Sequence, residues 1–259
     1  MSNFQIPSKL YMTHPVRTVP VSASLEEAYD RMIGAGVSSL PALDAEGLLA
    51  GILSRTDILR VGRRESGSRT DASVLTLPER TVADEMTADV KTATPDTDLE
   101  EAARRMVKGR VHRLVIADDG EVRGILSTRD LMRVIEEKQV NDPLSKYMSS
   151  PVFTIRAEEP LSLAVERLEK ARVSGLVVVE DRWPVGIFTQ NEALEARDVR
   201  RATPVGDVMS PRLLTLSPNT KLHRAAAQAA STRVRRVVIQ EGEKLTGILT
   251  GLDFARAVA

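Results

Sequence analysis

The chain contains no cysteine and only three histidines among its 259 residues. Disulfides and thiolate metal sites are therefore excluded, and no segment has the spacing of a zinc site, a Walker loop or a nucleophile with its base. Basic and acidic residues balance at 36 each, so no overall field draws the chain onto nucleic acid or an anionic membrane. We therefore predict a non-enzymatic protein with no catalytic residue, no metal ligand and no required cofactor.

Long apolar runs are also missing from the sequence. No stretch approaches the roughly 18 apolar residues of a membrane span, and the N-terminal segment MSNFQIPSKL lacks the apolar core of a signal peptide. Apolar residues still make up 42% of the chain, which is enough for one or two domains with a buried core. We expect a cytoplasmic protein that does not bind a membrane.

One unit of about 60 residues is repeated four times in the sequence. In each copy a methionine precedes a hydroxyl residue, and a threonine follows six residues after that methionine. Each copy then has a glycine, two apolar residues, a hydroxyl residue and, three places later, an acid. These endings read GILSRTD, GILSTRD, GIFTQNE and GILTGLD, beginning at Gly51, Gly124, Gly186 and Gly247. Self-similarity of this kind indicates one structural unit in tandem.

Each copy predicts a strand, a helix, a hairpin of two strands and a final helix. The segment LEEAARRM, from Leu99 to Met106, has apolar residues at helical spacing behind the cap residue Asp98. The segment VHRLVIADDGEVRGIL contains two apolar strands around a glycine turn, and the first copy carries one extra residue in the corresponding turn. We place the four repeats at residues 7–62, 81–138, 143–198 and 203–259, with a polar linker at 63–80.

The order of elements, the length of the unit and the G-h-h-[ST]-x-x-D ending resemble CBS domains, the small regulatory modules named after cystathionine beta-synthase. The resemblance covers nearly the whole chain. It implies an α/β fold, of the α+β kind, in which each repeat is a small three-stranded sheet with helices. It further implies that the repeats pair into two Bateman modules forming a disk, as in the gamma subunit of AMP-activated protein kinase. A homodimer of stacked chains is the open alternative to a monomer.

The hydroxyl residue and the acid of each ending have two interpretations. A serine or threonine followed three residues later by an acid forms a capping box at the start of a helix. A carboxylate can also accept both hydroxyls of a ribose. The resemblance implies ribose binding by Asp57, Asp130 and Asp253, beside the pocket hydroxyls Ser54, Ser127 and Thr250.

The third ending is the exception, because Thr189 is followed by Glu192. This pair still predicts a capping box. The longer side chain moves the carboxylate by about one carbon–carbon bond from the place where a ribose would meet it. We therefore predict a lost or altered nucleotide site in the third repeat.

Two further sets of residues are candidates through the resemblance. The threonines of the first strands would flank an adenine ring, although threonine is also simply at home in a strand; they are Thr18, Thr92, Thr154 and Thr215. Basic pairs begin a later strand in the second and fourth repeats, and they would bind phosphate unless they are only exposed strand ends; they are His112, Arg113, Arg235 and Arg236. The first and third repeats have Ser38-Ser39 and Ser174-Gly175 at the matching positions.

The remaining features fit ordinary structural roles. Trp183, in a hairpin turn, covers the end of a small sheet or anchors a partner. His14 and His223 have no comparable setting and are expected to be structural or exposed. The basic runs at residues 60–64 and 197–201 are expected to be solvated helix ends rather than a nucleic-acid surface.

Two functional hypotheses follow from these residues and the resemblance. The leading one is a non-catalytic sensor that binds AMP, ADP, ATP or a related adenosyl compound such as S-adenosylmethionine, and couples its occupancy to an unknown regulated protein. The alternative is a constitutive interaction scaffold, whose degenerate clefts bind a protein or a ribosomal or other RNA surface. The intact motif aspartates in three repeats favour the sensor.

Overall fold

The computed structural model describes residues 4–65, 77–196 and 199–259. The α-helices of this part of the chain are α1 (Leu25–Gly34), α2 (Arg55–Glu65), α3 (Val82–Glu85), α4 (Leu99–Gly109), α5 (Thr128–Glu137), α6 (Leu161–Lys170), α7 (Gln190–Glu195), α8 (Leu222–Ser231) and α9 (Gly251–Val258). Single 3₁₀ turns lie at Ser8–Leu10, Leu144–Lys146 and Val205–Asp207. Most of the predicted linker, at residues 66–76, and two residues of the second basic run, 197 and 198, lie outside the described residues.

The strands form four separate three-stranded sheets. They are β1 (Val19–Pro20), β2 (Ser39–Leu43), β3 (Leu49–Ser54), β4 (Thr92–Ala93), β5 (Arg113–Asp118), β6 (Glu121–Ser127), β7 (Thr154–Arg156), β8 (Gly175–Glu180), β9 (Trp183–Thr189), β10 (Thr215–Leu216), β11 (Arg236–Glu241) and β12 (Lys244–Thr250). In each sheet the first strand runs parallel to the second, and the second pairs with the third as an antiparallel hairpin. The predicted α/β class, with one small sheet in each repeat, is confirmed.

The first repeat pairs its strands differently from the others. In the other three, the amides of Val115, Val177 and Val238 donate to the carbonyl just before the repeat's threonine. Pro41 occupies the matching register position and has no N–H to donate. The parallel pair therefore begins at Val19, and Thr18 stays just outside the strand. The extra residue predicted in this repeat's turn is also present, because Leu43 pairs with Leu49 across a longer loop.

The methionine that opens each repeat lies against the motif glycine of a neighbouring repeat. A Cβ atom added to any of these glycines would come within 3.0 Å of a methionine Sδ, so only glycine fits there without a shift. The residue after each methionine also forms an isolated bridge with the partner's hairpin, as Thr13 does with Ile125. Repeats one and two each place their methionine on the other's glycine, and repeats three and four do the same: Met12 on Gly124, Met86 on Gly51, Met148 on Gly247 and Met209 on Gly186.

The described chain divides into two compact units, and each unit combines alternate repeats. The even unit, residues 4–16, 90–152 and 212–259, holds the sheets of repeats two and four. Its core forms where α5 packs on α8 and α9, around buried residues such as Leu131, Ile135 and Phe254. The odd unit consists of the described residues of 17–89 and 153–211, and holds repeats one and three. In it α2 packs on α7, and both helices add apolar side chains to one core.

The predicted repeat boundaries reflect only the period of the sequence. Some segments pack with a repeat other than the one to which these boundaries would assign them. Residues 4–16 precede the first sheet along the chain but pack with the sheet of the second repeat. In the same way α3, which follows the first repeat, hydrogen-bonds back to Val21 and Ala23 of that repeat. The boundaries at 7–62, 81–138, 143–198 and 203–259 stay a prediction.

Candidate functional site

The acid of every motif ending caps the helix that follows it. In each case one carboxylate oxygen accepts hydrogen bonds from both the backbone amide and the hydroxyl of the residue three places earlier. For Asp130 these bonds come from Ser127 at 2.7 and 2.8 Å. Glu192 makes the same pair of bonds with Thr189, so the third repeat keeps this capping geometry despite its longer acid. The capping box predicted from the motif is therefore present in all four copies.

The second oxygen distinguishes the motif aspartates from one another. Asp253 is fully buried, and its Oδ1 accepts hydrogen bonds from Ser149 Oγ at 2.9 Å and from Arg256. Asp57 is 7% exposed, and its Oδ1 lies 3.4 Å from Arg60 Nη1. A ribose would have to replace these partners before it could reach either carboxylate.

Asp130 is the motif aspartate best placed for a ligand. It is half-buried, and no other residue donates to its Oδ1 among the hydrogen bonds and ion pairs that the structure describes. Burial raises the pKa of this carboxyl, although the two bonds from Ser127 oppose the shift. A half-buried carboxylate with one oxygen available has the chemistry that ribose recognition needs. The ribose role of Asp57, Asp130 and Asp253 stays a prediction, which the geometry favours most for Asp130.

The strand threonines share one backbone feature. The carbonyl oxygens of Thr18, Thr92 and Thr154 each accept a hydrogen bond from an arginine on the following helix, at 3.2 to 3.3 Å. Thr92, Thr154 and Thr215 are exposed, whereas Thr18 is half-buried. Their proposed contact with adenine stays a prediction.

Two helices begin side by side in the even unit. The amide of Thr128, the first residue of α5, donates to the carbonyl of His112 at 3.0 Å. A Cβ atom added to Gly251, the first residue of α9, would come within 3.0 Å of the Thr128 side chain and 3.3 Å from His112 Nδ1. Glycine is therefore what lets the two helix N-termini approach each other beside the imidazole. Helix N-termini carry partial positive charge and unpaired amides, both of which favour anions.

Cationic side chains act on the imidazole at this junction. The pKa of His112 is lowered to about 4, first by burial and then by Arg236, Arg113 and Arg235, while Asp253 has the opposite effect. The pKa of Arg113 is lowered to about 10 by burial and by Arg129. The structure thus brings the four predicted phosphate ligands together and adds one arginine. We call this group the cationic junction: His112, Arg113, Arg129, Arg235 and Arg236.

The corresponding place in the odd unit has a different chemistry. Its strands β2 and β8 begin at Ser39 and Gly175, and its helices α2 and α7 are joined by hydrogen bonds to the side-chain amides of α7. Thr56 Oγ1 donates to Gln190 Oε1 at 3.1 Å. Arg55 contributes a guanidinium whose Nη1 donates to Asn191 Oδ1 at 3.4 Å, and whose buried Nε has no hydrogen-bond partner among the described atoms.

Arg55 and Arg129 were not predicted as site residues, because both occupy the unspecified places of the S-x-x-D motif. Their position within the motif could have identified them. Those two places are the first residues of the helix that the motif caps, so a basic residue there lies beside whatever meets the helix N-terminus.

Two kinds of feature are absent from the described residues. No group of three or more histidine, aspartate or glutamate side chains in residues 4–65, 77–196 and 199–259 is arranged to hold a metal ion. Within the same ranges, no helix has the length and apolar character needed to span a membrane.

The whole chain can now be assigned to a family. The family model described as "CBS domain" matches residues 8–64, 82–137, 144–198 and 205–259. The protein therefore belongs to the CBS-domain family, and the resemblance seen in the sequence is confirmed.

One relative with a solved structure matches nearly the whole chain. Protein MJ1225 of Methanocaldococcus jannaschii is 23% identical over 204 residues, which cover 73% of this chain and 69% of that one. Its crystal structure, described as that of a proposed archaeal homologue of γ-AMPK, matches 98% of this chain and all of that chain, with a TM-score of 0.84 at 18% identity. At this identity the match shows the fold alone.

Two other matches are more limited. An uncharacterized 33.4 kDa protein from a ribosomal RNA operon of Thermofilum pendens is 26% identical over 185 residues, 66% of this chain. The match spans only 58% of that relative's length. A CBS-domain protein of Pyrobaculum aerophilum, PAE2072, has been solved in complex with AMP and covers 49% of this chain, at 19% identity and a TM-score of 0.43. The bound AMP is a property of the Pyrobaculum protein.

Proposed function

We propose that this chain is a non-catalytic regulatory protein that binds an adenine nucleotide, AMP, ADP or ATP, and signals its occupancy to a partner protein. The observation that carries the proposal is the cationic junction of the even unit. His112 lies there beside the N-termini of α5 and α9, and four arginines from two repeats are close enough to lower its pKa or that of its neighbour Arg113.

The phosphate part of the ligand follows from the charge. His112 and Arg113 hold their protons less tightly than usual, in part because neighbouring arginines repel a further positive charge. A phosphate bound among them would reverse that repulsion, and arginine forks match phosphate oxygens in a bidentate way. A cationic compound such as S-adenosylmethionine lacks the phosphate that would offset the same charges. The junction therefore favours nucleotides over S-adenosylmethionine.

The nucleoside part of the ligand follows from Asp130. Its available oxygen lies at the first turn of α5, the helix that begins at the cationic junction. We assign it the ribose hydroxyls and assign the phosphates to the junction, so a single nucleotide would engage one helix start with both parts. Binding regulates a partner if the ligand favours one arrangement of the repeats over another.

A ligand panel tests this proposal. The purified full chain would be heated with adenosine, AMP, ADP, ATP or S-adenosylmethionine, and affinities would be measured by isothermal titration calorimetry. We expect the nucleotides to stabilise the fold, by about 2.7 kcal/mol at a ligand concentration a hundredfold above the dissociation constant. If no member of the panel binds, the sensor is wrong and the constitutive scaffold takes its place.

Matched variants locate the phosphates. Arg113→Ala should weaken ATP binding by about 10- to 100-fold, the loss expected for one charge-assisted hydrogen bond, and should change adenosine binding little. Arg104→Ala is the control, because Arg104 is an exposed helix arginine that pairs with Glu100 and Glu101 on α4. Equal losses of ATP and adenosine with Arg113→Ala would contradict the assignment of the phosphates.

A further inference from the structure

We propose that, in the mildly acidic range, His112 binds the phosphate of the ligand as an imidazolium, so that the protein takes up a proton from solvent when a nucleotide binds. The affinity for nucleotides then rises as the pH falls through the mildly acidic range. This inference rests on the proposed function and adds a form of regulation to the same site.

The position of His112 is fixed by the elements around it. Its carbonyl accepts the hydrogen bond from the first amide of α5, and its Nδ1 lies beside the start of α9. Arg113 follows it on β5, while Arg235 and Arg236 face it from the start of β11. Asp253, from α9, has the opposite effect on its charge. Thr128 of α5, which is neutral, lies beside it at the start of the two helices.

Without a ligand this setting keeps the imidazole neutral at physiological pH. Its pKa is lowered to about 4 by burial and by three arginines. Asp253 offsets little of this effect, because its carboxylate already accepts hydrogen bonds from Thr250, Ser149 and Arg256. A neutral imidazole can donate from only one ring nitrogen.

A bound phosphate reverses the balance of charge. It brings negative charge among the same arginines, and one opposite charge within about 4 to 6 Å shifts a pKa by about 1 to 3 units. A return to the ordinary value of 6.5 would place the bound histidine in the physiological range. The added proton lets an imidazole N–H donate to a phosphate oxygen, and no other bond forms or breaks.

The sign and size of the effect follow from linkage. At pH 7.5 His112 is neutral in both the free and the bound protein, so it contributes no proton coupling. As the pH falls below 6.5 the bound form gains a proton that the free form does not hold until about pH 4. With these two values the affinity rises about tenfold between pH 7.5 and pH 5.5.

Calorimetry with ADP on the full chain tests the inference. Titrations at pH 7.5, 6.5 and 5.5, each in two buffers of different ionisation enthalpy, would give the affinity and the number of protons taken up. The comparison is with His112→Gln, which keeps a polar side chain but cannot titrate. Because the same ADP is used, the titration of its own phosphate cancels in the ratio of wild-type to variant affinity. We expect that ratio to rise about tenfold across this range.

His223→Gln is the matched control. His223 is in the same unit, and its Nδ1 lies 3.0 Å from the carbonyl oxygen of Val140. This variant should keep the pH dependence of the wild type. A ratio for His112→Gln that does not change with pH overturns the proton uptake while leaving nucleotide binding intact. An absence of ADP binding at every pH overturns the proposed function as well.

Nuclear magnetic resonance gives a second measurement that needs no stable variant. The chain has only three histidines, so their ring signals can be resolved and followed through a pH titration. We expect one of them to have a midpoint near 4 in the free protein and above 6 with ADP bound. Three histidines with unchanged midpoints in a saturated complex would contradict the inference.

Discussion

At the scale of the residue, the acid of the repeated motif has one task in common and a second that varies. All four acids cap a helix, and that task could be predicted because it involves only neighbours along the chain. The availability of the second oxygen could not be predicted. In Asp253 it is taken by Ser149, which is 104 residues away in the sequence, whereas in Asp130 no other described residue donates to it.

Asp130→Asn separates the two tasks. Burial raises the pKa of Asp130 in the folded state, so its ionised form destabilises the fold, and this cost grows as the pH rises above the unfolded value. The amide keeps an oxygen that can accept the bonds from Ser127. We expect the free energy of unfolding at pH 7 to stay within about 1 kcal/mol of the wild type or to rise, and the affinity for nucleotides to fall at least about tenfold.

Asp84→Asn is the control for this change. Asp84 accepts the same two bonds, both at 2.8 Å, from Thr81, but these bonds lower its pKa. Its ionised form therefore stabilises the fold, and that stability is lost as the pH falls through its folded pKa. Urea unfolding should show a loss of stability for this variant at pH 7, with nucleotide affinity unchanged. Matching stability losses in both variants would show that Asp130 is only a cap.

At the scale of the element, the motif glycine is explained by a methionine from another repeat. The order of strands and helices within a repeat could be predicted, because hydrophobic periodicity and turn residues are local signals. The packing of each repeat's leading methionine segment on another repeat could not be predicted. A methionine that packs on the glycine of its own repeat and one that packs on the glycine of another repeat would give the same repeated sequence. Only the packing shows which of the two contacts is made. The register of β1 likewise depends on Pro41, which lies on a different strand.

Glycine substitutions test this contact. The three atoms nearest to a Cβ atom at Gly124 all belong to the side chain of Met12, whereas a Cβ atom at Gly186 would also come 2.7 Å from the carbonyl oxygen of Ser210. That carbonyl is held by a hydrogen bond from the amide of Ile187. We expect Gly124→Ala to cost about 1 to 3 kcal/mol of unfolding free energy, and Gly186→Ala to cost more.

Double variants separate the side-chain clash from the backbone clash. Adding Met12→Ala should recover much of the loss caused by Gly124→Ala, because the side chain in the way is shortened. Adding Met209→Ala to Gly186→Ala should recover little, since the carbonyl of Ser210 stays in place. Urea unfolding of the two cycles measures this difference. Full recovery in the second cycle would mean that the methionine alone makes the glycine necessary.

At the scale of the whole molecule, two compact units with different chemistry are built from alternate repeats of one chain. The number of repeats and their family could be predicted from the period and the motif. Which repeats pack together through their helices could not, because four similar repeats present similar faces. The concentration of basic side chains in the even unit follows from that pairing, since it brings His112 of one repeat to Arg236 of another. A chain with no net charge thereby acquires a cationic cluster in its even unit.

The cationic junction, as proposed above, binds the phosphates of an adenine nucleotide. A crystal structure of the full chain grown with ADP would show where those phosphates lie. We predict the diphosphate within hydrogen-bonding distance of Arg113, Arg236 and His112, with the ribose hydroxyls on Asp130. The contradicting result is a nucleotide whose phosphates lie elsewhere, for example beside Arg55 in the odd unit, while the junction of the even unit holds none.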